Sequence, residues 1–347
     1  MSDRVRIGVV GAGLIGRRHI ERIAEVTAAE LVGIADPAAA GRELAAKAGV
    51  PHFETLAALV EEARPDGLVI ATPNAMHVEN GLAAIAAGLP ALIEKPIADD
   101  LRGAQALVDA SQAAGVPVLV GHHRRHNPIV RAARAEIEAG RLGRIVAAHG
   151  TFWLMKPDDY FDVAWRRSAG AGPALVNMIH DVDLLRFLCG EIEEIFAYAS
   201  NAVRGNPVEE SCAIAMKFAG GALGTFALSD TVVAPWSWEM TAGENPVYPQ
   251  TDQSCYQIAG THGSMSVPRL ELWSYAEKRS WWEPIRAARV HAPADDPLRL
   301  QIEHFCRVVR RAEAPVVDAR EGMATLRVVR AAIESARSGK PVRPDSL

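Results

Sequence analysis

The sequence predicts an α/β protein in two parts, a doubly wound parallel sheet over residues 1–122 and an α+β domain with a largely antiparallel open sheet over 123–347. Three observations carry that prediction. Short apolar runs alternate with alanine-rich helical patterns as far as residue 121. A glycine-rich turn stands between the first run and the first helix. Beyond about residue 144, strand-like runs follow one another with turns between them instead of helices.

In chain order, strands are expected over 5–10, 31–35, 67–71, 91–93 and 116–120. They are short and mostly apolar, as a parallel sheet covered by helices on both faces requires. After "GHHRRHNP" a helix is expected over 129–140, and strands then follow over 144–153, 194–203, 210–218, 222–230, 255–260 and 264–267. Only 174–188 and the tail beyond 297 read as strongly helical in this half, so helices cover one side of the second sheet. An open sheet needs its exposed face covered, and a homodimer or homotetramer through the C-terminal sheet is expected.

Size and composition narrow the function. A chain of 347 residues supports two cores. It is 49% hydrophobic and 23% charged with a net charge of −5, and it has no basic block of the kind that nucleic acid or an anionic membrane attracts. The stretch "MSDRVRIGVVGAG" lacks a signal-peptide layout, and no run approaches the roughly 18 apolar residues of a membrane span. Cys189, Cys212, Cys255 and Cys306 are far apart and fit neither a disulfide framework nor CxxC metal spacing. The expectation is a cytoplasmic protein with reduced thiols and a small-molecule partner.

"IGVVGAGLIGRRHIERI" places Gly11, Gly13 and Gly16 after the first strand and at the start of a helix. There the backbone amides and the helix dipole favour a pyrophosphate, and Leu14 and Ile15 between the glycines are candidate contacts. Asp36 ends the second strand twenty residues after Gly16, where a carboxylate holds adenine-ribose hydroxyls and repels a 2′-phosphate. The cofactor expected is NAD; Arg42 nearby leaves NADP open.

"ATPNAMH" follows the third strand, so Thr72, Pro73, Asn74 and His77 belong to the crevice beyond the strand ends. Asn74 also fits a helix N-cap. In "LPALIEKPIADD", Glu94 and Lys95 end the fourth strand before Pro96. On spacing alone they fit a surface ion pair, but a lysine on that rim also suits polarising an oxygen or relaying a proton.

"WRRSAGAGPALVNMIHDVDLLRFLCG" begins as a glycine-rich loop and becomes a helix. At about 100° per residue, Leu175, Met178, Ile179, Val182 and Leu185 form an apolar face, and His180 shares a polar ridge with Asn177 and Asp183. A histidine with a carboxylate three residues on suits a general base, though a lone helical histidine is more often a solvated or satisfied side chain.

His122, His123 and His126 lack a cysteine or an HExxH arrangement, and the arginines between them repel a cation, so no metal is expected. Arg124 fits substrate, cofactor or an acidic group. Trp153 and Trp165, with Arg166, are candidate substrate contacts, because indole rings stack on apolar sugar faces. "APWSWEMTAGENPVYP" over 234–249 reads as a binding loop.

Taken together, "GAGLIG", Asp36, "ATPNAMH", "EKP" and the glycine loop running into "IHDVD" resemble the glucose–fructose oxidoreductase, inositol dehydrogenase and MocA family (Gfo/Idh/MocA). The motifs cover about residues 5–190, and beyond them the resemblance is one of layout. It implies a Rossmann domain and hydride transfer between nicotinamide and a carbinol or carbonyl carbon of a sugar, cyclitol or related polyhydroxy compound. It further implies that Lys95 and His180 flank that carbon. His180 would take the hydroxyl proton, Lys95 polarise the oxygen and Asp183 steady the histidine. Pro96 would fix the lysine's direction, X-Pro being the one bond that adopts cis cheaply.

Many members carry an aspartate four residues before the histidine. Here that residue is Val176, with Asn177 beside it, and an amide orients a hydroxyl but cannot act as a base. Two other readings use the same fold. One is a glycosidase-type enzyme whose retained NAD is used transiently. The other is a non-enzymatic sugar or nucleotide sensor, which would have no need of Lys95 and His180.

Overall fold

The computed structural model describes residues 4–168 and 170–347. Residues 1–3 of the N-terminal stretch and Ala169 of the glycine-rich loop lie outside the described residues. The chain divides into two compact units, one running to His126 and rejoined by Asp295–Leu326, the other made of Asn127–Ala294 and Arg327–Leu347.

The first unit contains β1 (Val5–Val10), α1 (Leu14–Glu25), β2 (Ala29–Ala35), α2 (Ala39–Ala48), β3 (His52–Phe53), α3 (Leu56–Ala63), β4 (Gly67–Ile70), α4 (His77–Ala86), β5 (Ala91–Ile93), α5 (Leu101–Ala114) and β6 (Val118–Val120). Its six strands are parallel in the order β3-β2-β1-β4-β5-β6. The order reverses between β1 and β4, so the loops leaving their carboxyl ends flank a crevice where such sheets bind ligands. Capping fixes the helix starts: Thr55 and Asp100 accept the N–H groups of Ala58 and Gly103. The two-residue β3 was not expected, because so short a strand leaves no periodic signal.

The second unit contains α6 (Pro128–Glu138), β7 (Ile145–Trp153), α7 (Pro173–Val176), α8 (Met178–Cys189), β8 (Ile192–Ser200), β9 (Ser211–Phe218), β10 (Leu223–Ser229), α9 (Trp238–Thr241), β11 (Tyr256–Gly260), β12 (Gly263–Val267), β13 (Glu271–Tyr275) and β14 (Ile285–Arg289). Its eight strands run β14-β13-β12-β11-β7-β10-β9-β8. Every pairing is antiparallel except β7 with β10. Alternation is clean along β9, where Cys212, Ile214, Met216 and Phe218 are buried and Ala213, Ala215 and Lys217 are exposed. Sequence periodicity missed β13 and β14; all of β14 is exposed, so nothing selects an apolar alternation there.

The tail forms α10 (Pro297–Val309) and α11 (Ala319–Ser338). A single boundary at 122 does not describe it. Ile302, Phe305 and Cys306 of α10 share one core with Ile7, Ile20, Ile23 and Val69 of the first unit. Gly67 makes room for them, since a Cβ there would lie 2.8 Å from Val309 Cγ2. The helix expected over 174–188 is also divided, with the backbone departing from helical geometry at Asn177 (φ −106°, ψ −55°).

Candidate active site

The glycine turn shows three different reasons for glycine. Gly11 has φ 94°, where a side chain is strained, and a Cβ there would lie 2.6 Å from the Ala71 carbonyl oxygen. A Cβ on Gly16 would overlap the Gly11 carbonyl oxygen. Gly13, by contrast, has an ordinary φ of −67°, and a Cβ there would meet no heavy atom within 4 Å. No atom of the described residues fills that space, which adjoins the start of α1, a helix without a side-chain cap. The arrangement fits a pyrophosphate approached by backbone amides. Leu14 is 86% exposed beside it, with Ile15 half-buried.

Asp36 leaves the end of β2 with both oxygens held. The N–H of Ala12 donates to Oδ2 at 2.6 Å and that of Ala38 to Oδ1 at 2.8 Å, so the carboxylate is fixed against the glycine turn. Next to the same turn, the Thr72 hydroxyl is buried without a hydrogen-bond partner, an orphan that a bound group would satisfy. Pro73 and Asn74 are exposed. Asn74 lies in a short 3-10 turn and does not cap α4, whose N-cap is Met76. His77 is buried, with Nδ1 2.7 Å from Pro96 O and Nε2 3.0 Å from Thr72 O. Its ring braces the two loops, where a cofactor contact was expected.

Glu94 is a buried partner rather than a surface one. Its Oε1 lies 2.7 Å from His19 Nε2, and its Oε2 accepts the Lys95 N–H at 3.2 Å. The Lys95–Pro96 peptide is cis. Gly121 at the end of β6 leaves room for the carboxylate, because a Cβ there would lie 2.9 Å from it. Burial alone pushes the Glu94 carboxyl up, but the hydrogen bond and charge of His19, with the charges of Lys95 and His123, outweigh it and bring it down to about 2.

That depression implies a dependence on acid. The usual value is 4.5, so the stabilisation is fully present above pH 4.5 and is lost as the pH falls towards 2. Urea unfolding across this window is expected to cost the wild type on the order of 3 kcal/mol more than Glu94→Gln. Equal losses in the two proteins would show that the carboxylate is not held as described.

In the second unit, α8 differs from the expected amphipathic helix. Its Asp181, Asp183 and Arg186 are as buried as its leucines, so of the polar ridge Asp183 is enclosed while Asn177 and His180 are half-buried. Asp181 accepts the hydroxyl of Tyr256 from β11, tying the helix to the sheet. The N–H of His180 bonds to the Asn177 carbonyl at 3.1 Å. Asn177 Oδ1 in turn accepts from Lys156 Nζ at 2.9 Å, and Lys156 pairs with Asp230 at 3.2 Å.

The remaining candidates divide. Trp153 packs on Trp236 with centroids 5.5 Å apart, and Trp165 is largely exposed. Arg166 is tied to its own loop, donating to Tyr160 O at 2.9 Å with its guanidinium 4.1 Å above the Tyr160 ring. Arg124 is buried in the first unit. His126 stacks on His304 with centroids 5.2 Å apart. Among the described residues no group of three His, Cys, Asp or Glu side chains is placed to hold a metal, and no helix is long and apolar enough to cross a membrane. The loop expected to bind contains α9, whose Trp238 is core and donates to Glu244 at 3.0 Å. A cavity of 720 Å³ in the second unit is lined by Thr241, Gln250, Asp252, Arg269, Arg289 and His291, of which only Thr241 falls in the loop the sequence singled out.

His19, Lys156, Asp230 and Tyr256 were missed. His19 had a signal, because it shares the buried α1 stripe with Gly16, Ile20 and Ile23. Lys156 had one too, standing before a proline just beyond a strand as Lys95 does. Asp230 and Tyr256 matter only through residues far away in sequence.

Comparison with known proteins agrees with this geometry. A family model described as "Oxidoreductase family, NAD-binding Rossmann fold" matches residues 5–122, and the "GFO/IDH/MocA C-terminal domain" matches 130–266. The chain is 29% identical to the rhizopine catabolism protein MocA of Rhizobium meliloti over 338 residues, 95% of each chain. It is 32% identical to the 1,5-anhydro-D-fructose reductase of Ensifer adhaerens across 64% of this chain and 68% of that one. The solved structure of the WlbA dehydrogenase from Bordetella pertussis in complex with NADH and UDP-GlcNAcA matches with a TM-score of 0.80 and 27% identity over 98% of each chain. The resemblance carried by the motifs is confirmed: the chain belongs to the Gfo/Idh/MocA family and is an oxidoreductase with an NAD-binding Rossmann domain.

Proposed function

We propose that the protein is an NAD-dependent dehydrogenase that oxidises a carbinol group of a sugar, cyclitol or related polyhydroxy compound, or reduces the corresponding carbonyl. The observation that carries the reading is Gly13, a glycine that no protein atom requires, between two that the fold does require. One relative is a 1,5-anhydro-D-fructose reductase, and the matched WlbA structure holds NADH and UDP-GlcNAcA, which supports a sugar-like substrate.

Bound nicotinamide would exchange the hydride. His180 takes the hydroxyl proton, Lys95 polarises the oxygen, and Asp183 steadies the imidazole. Asn177 orients a substrate hydroxyl, and Trp153, Trp165 and Arg166 line its approach. A screen of purified protein with NAD against sugars, cyclitols and sugar acids, followed by nicotinamide absorbance, tests the reading. Cofactor that stays bound through turnover with no net reduction would favour the glycosidase-type alternative.

NAD is the preferred cofactor, because Asp36 meets a 2′-phosphate with like charge. Asp36→Ser is expected to weaken NAD binding and narrow the gap to NADP, measured by fluorescence titration of both. Tighter NADP binding by the unaltered protein would contradict this. A second copy of the chain covers the outer face of the second sheet, where Ala213, Ala215, Thr225, His149 and Gln257 are exposed, and sedimentation equilibrium should read a dimer or tetramer.

A further inference from the structure

Lys156 is 8% exposed, so its ammonium has been taken out of water and its donors need partners. The backbone puts it there. Beyond β7, Leu154 N–H bonds to Ser229 O at 3.1 Å and Lys156 N–H to Asp230 O at 2.9 Å, which lays the segment along the end of β10. Nζ reaches Asp230 Oδ2 at 3.2 Å and Asn177 Oδ1 at 2.9 Å, and sits 5.0 Å from the centroid of the Tyr160 ring. Arg204 closes the cluster, pairing with Asp230 Oδ1 at 2.6 Å and donating to Lys156 O at 3.1 Å. Asp230 therefore keeps a cation even without Lys156.

An ammonium donates and never accepts, so the edge of the Asn177 amide that faces Lys156 must be the oxygen. The NH2 group is then on the other edge. Asn177 is also the residue at which α7 ends and α8 begins, and its carbonyl holds the N–H of His180. Its side chain is carried on the same turn as the histidine.

We propose that Lys156 is a positioning residue that locks the Asn177 amide with its N–H donors free for substrate, so that this position selects an acceptor oxygen on the compound bound beside His180. The inference rests on the dehydrogenase reading for its substrate, but the lock itself does not. A site built to donate to an oxygen discriminates strongly against an analogue that lacks it, because the donor is then left without a partner. An aspartate at this position would offer acceptors only.

Two measurements test it. The chain has seven asparagines, so protein labelled with [15N]asparagine gives few side-chain amide pairs, and Asn177→Ala identifies the one that matters. Lys156→Met should shift that pair and leave the others in place, with no substrate needed. An unmoved Asn177 pair would overturn the lock.

With a compound from the NAD screen, Asn177→Ala and Lys156→Met should each raise KM about 5- to 10-fold. The double variant should be no worse than Asn177→Ala. Multiplying effects would mean that Lys156 does not act through Asn177. Should Lys156→Met fail to fold, Asn177→Asp keeps an ion pair with Lys156 but removes the donor, so its KM should rise as in Asn177→Ala. An unchanged KM in Asn177→Asp would overturn the donor assignment. If no compound reduces NAD, the dehydrogenase reading fails while the amide spectrum still decides the lock.

Discussion

Lys95→Ala and His180→Ala are each expected to slow hydride transfer by about 100-fold or more, the scale on which positioned acid–base groups contribute. The fold should survive both changes. Glu94 is held by His19 and by the Lys95 main-chain N–H, neither of which needs the lysine side chain. His180 is half-buried and stands outside the buried residues of α8, so truncating it opens no core cavity. NAD affinity should change little, because the phosphate turn and Asp36 are untouched. Stopped-flow rates of nicotinamide reduction at saturating substrate, beside NAD titrations, check both statements. Normal turnover in both variants would move the acid–base chemistry to other residues.

The second large effect is a contrast between two glycines. Gly16→Ala forces a methyl group against the Gly11 carbonyl, so the fold itself should lose about 1–3 kcal/mol, as overpacked sites do. Gly13→Ala meets no protein atom and keeps an allowed backbone conformation, so the apoprotein should be destabilised by less than about 1 kcal/mol. Its methyl group would instead occupy the space beside the helix start, and NAD affinity should fall by about 10-fold or more, since 1.4 kcal/mol of lost contact is tenfold. Denaturant unfolding without cofactor and NAD titration separate the two. A Gly13→Ala protein that binds NAD normally would leave the open space unexplained.

The first sheet was legible because its determinants are local. Apolar runs, a glycine turn and an aspartate at a fixed distance all lie within one βαβ unit, and β1 and β5 fall where they were expected. The second unit was legible only as strands. Its order, with β7 beside both β10 and β11, joins segments far apart in sequence, and no periodicity encodes that pairing. The candidate site divides in the same way. Gly11, Gly16 and Asp36 follow from local geometry, whereas the burial of Glu94 depends on His19, 75 residues earlier. Asn177 was visible as a polar residue near His180, but the direction of its amide is set by Lys156, which no pattern around Asn177 reveals. His77 shows the converse, a polar residue in the right stretch whose ring nitrogens are engaged by its own surroundings.

The central claim is that carbon-bound hydrogen moves from substrate to NAD and leaves with the cofactor. Sugars, cyclitols and sugar acids deuterated at their carbinol carbons, incubated with the protein and NAD, test it most directly by mass spectrometry of the released nicotinamide nucleotide. The account predicts one deuterium in the reduced cofactor for each molecule of substrate oxidised. Substrate that is altered while the cofactor is recovered as unlabelled NAD would contradict it.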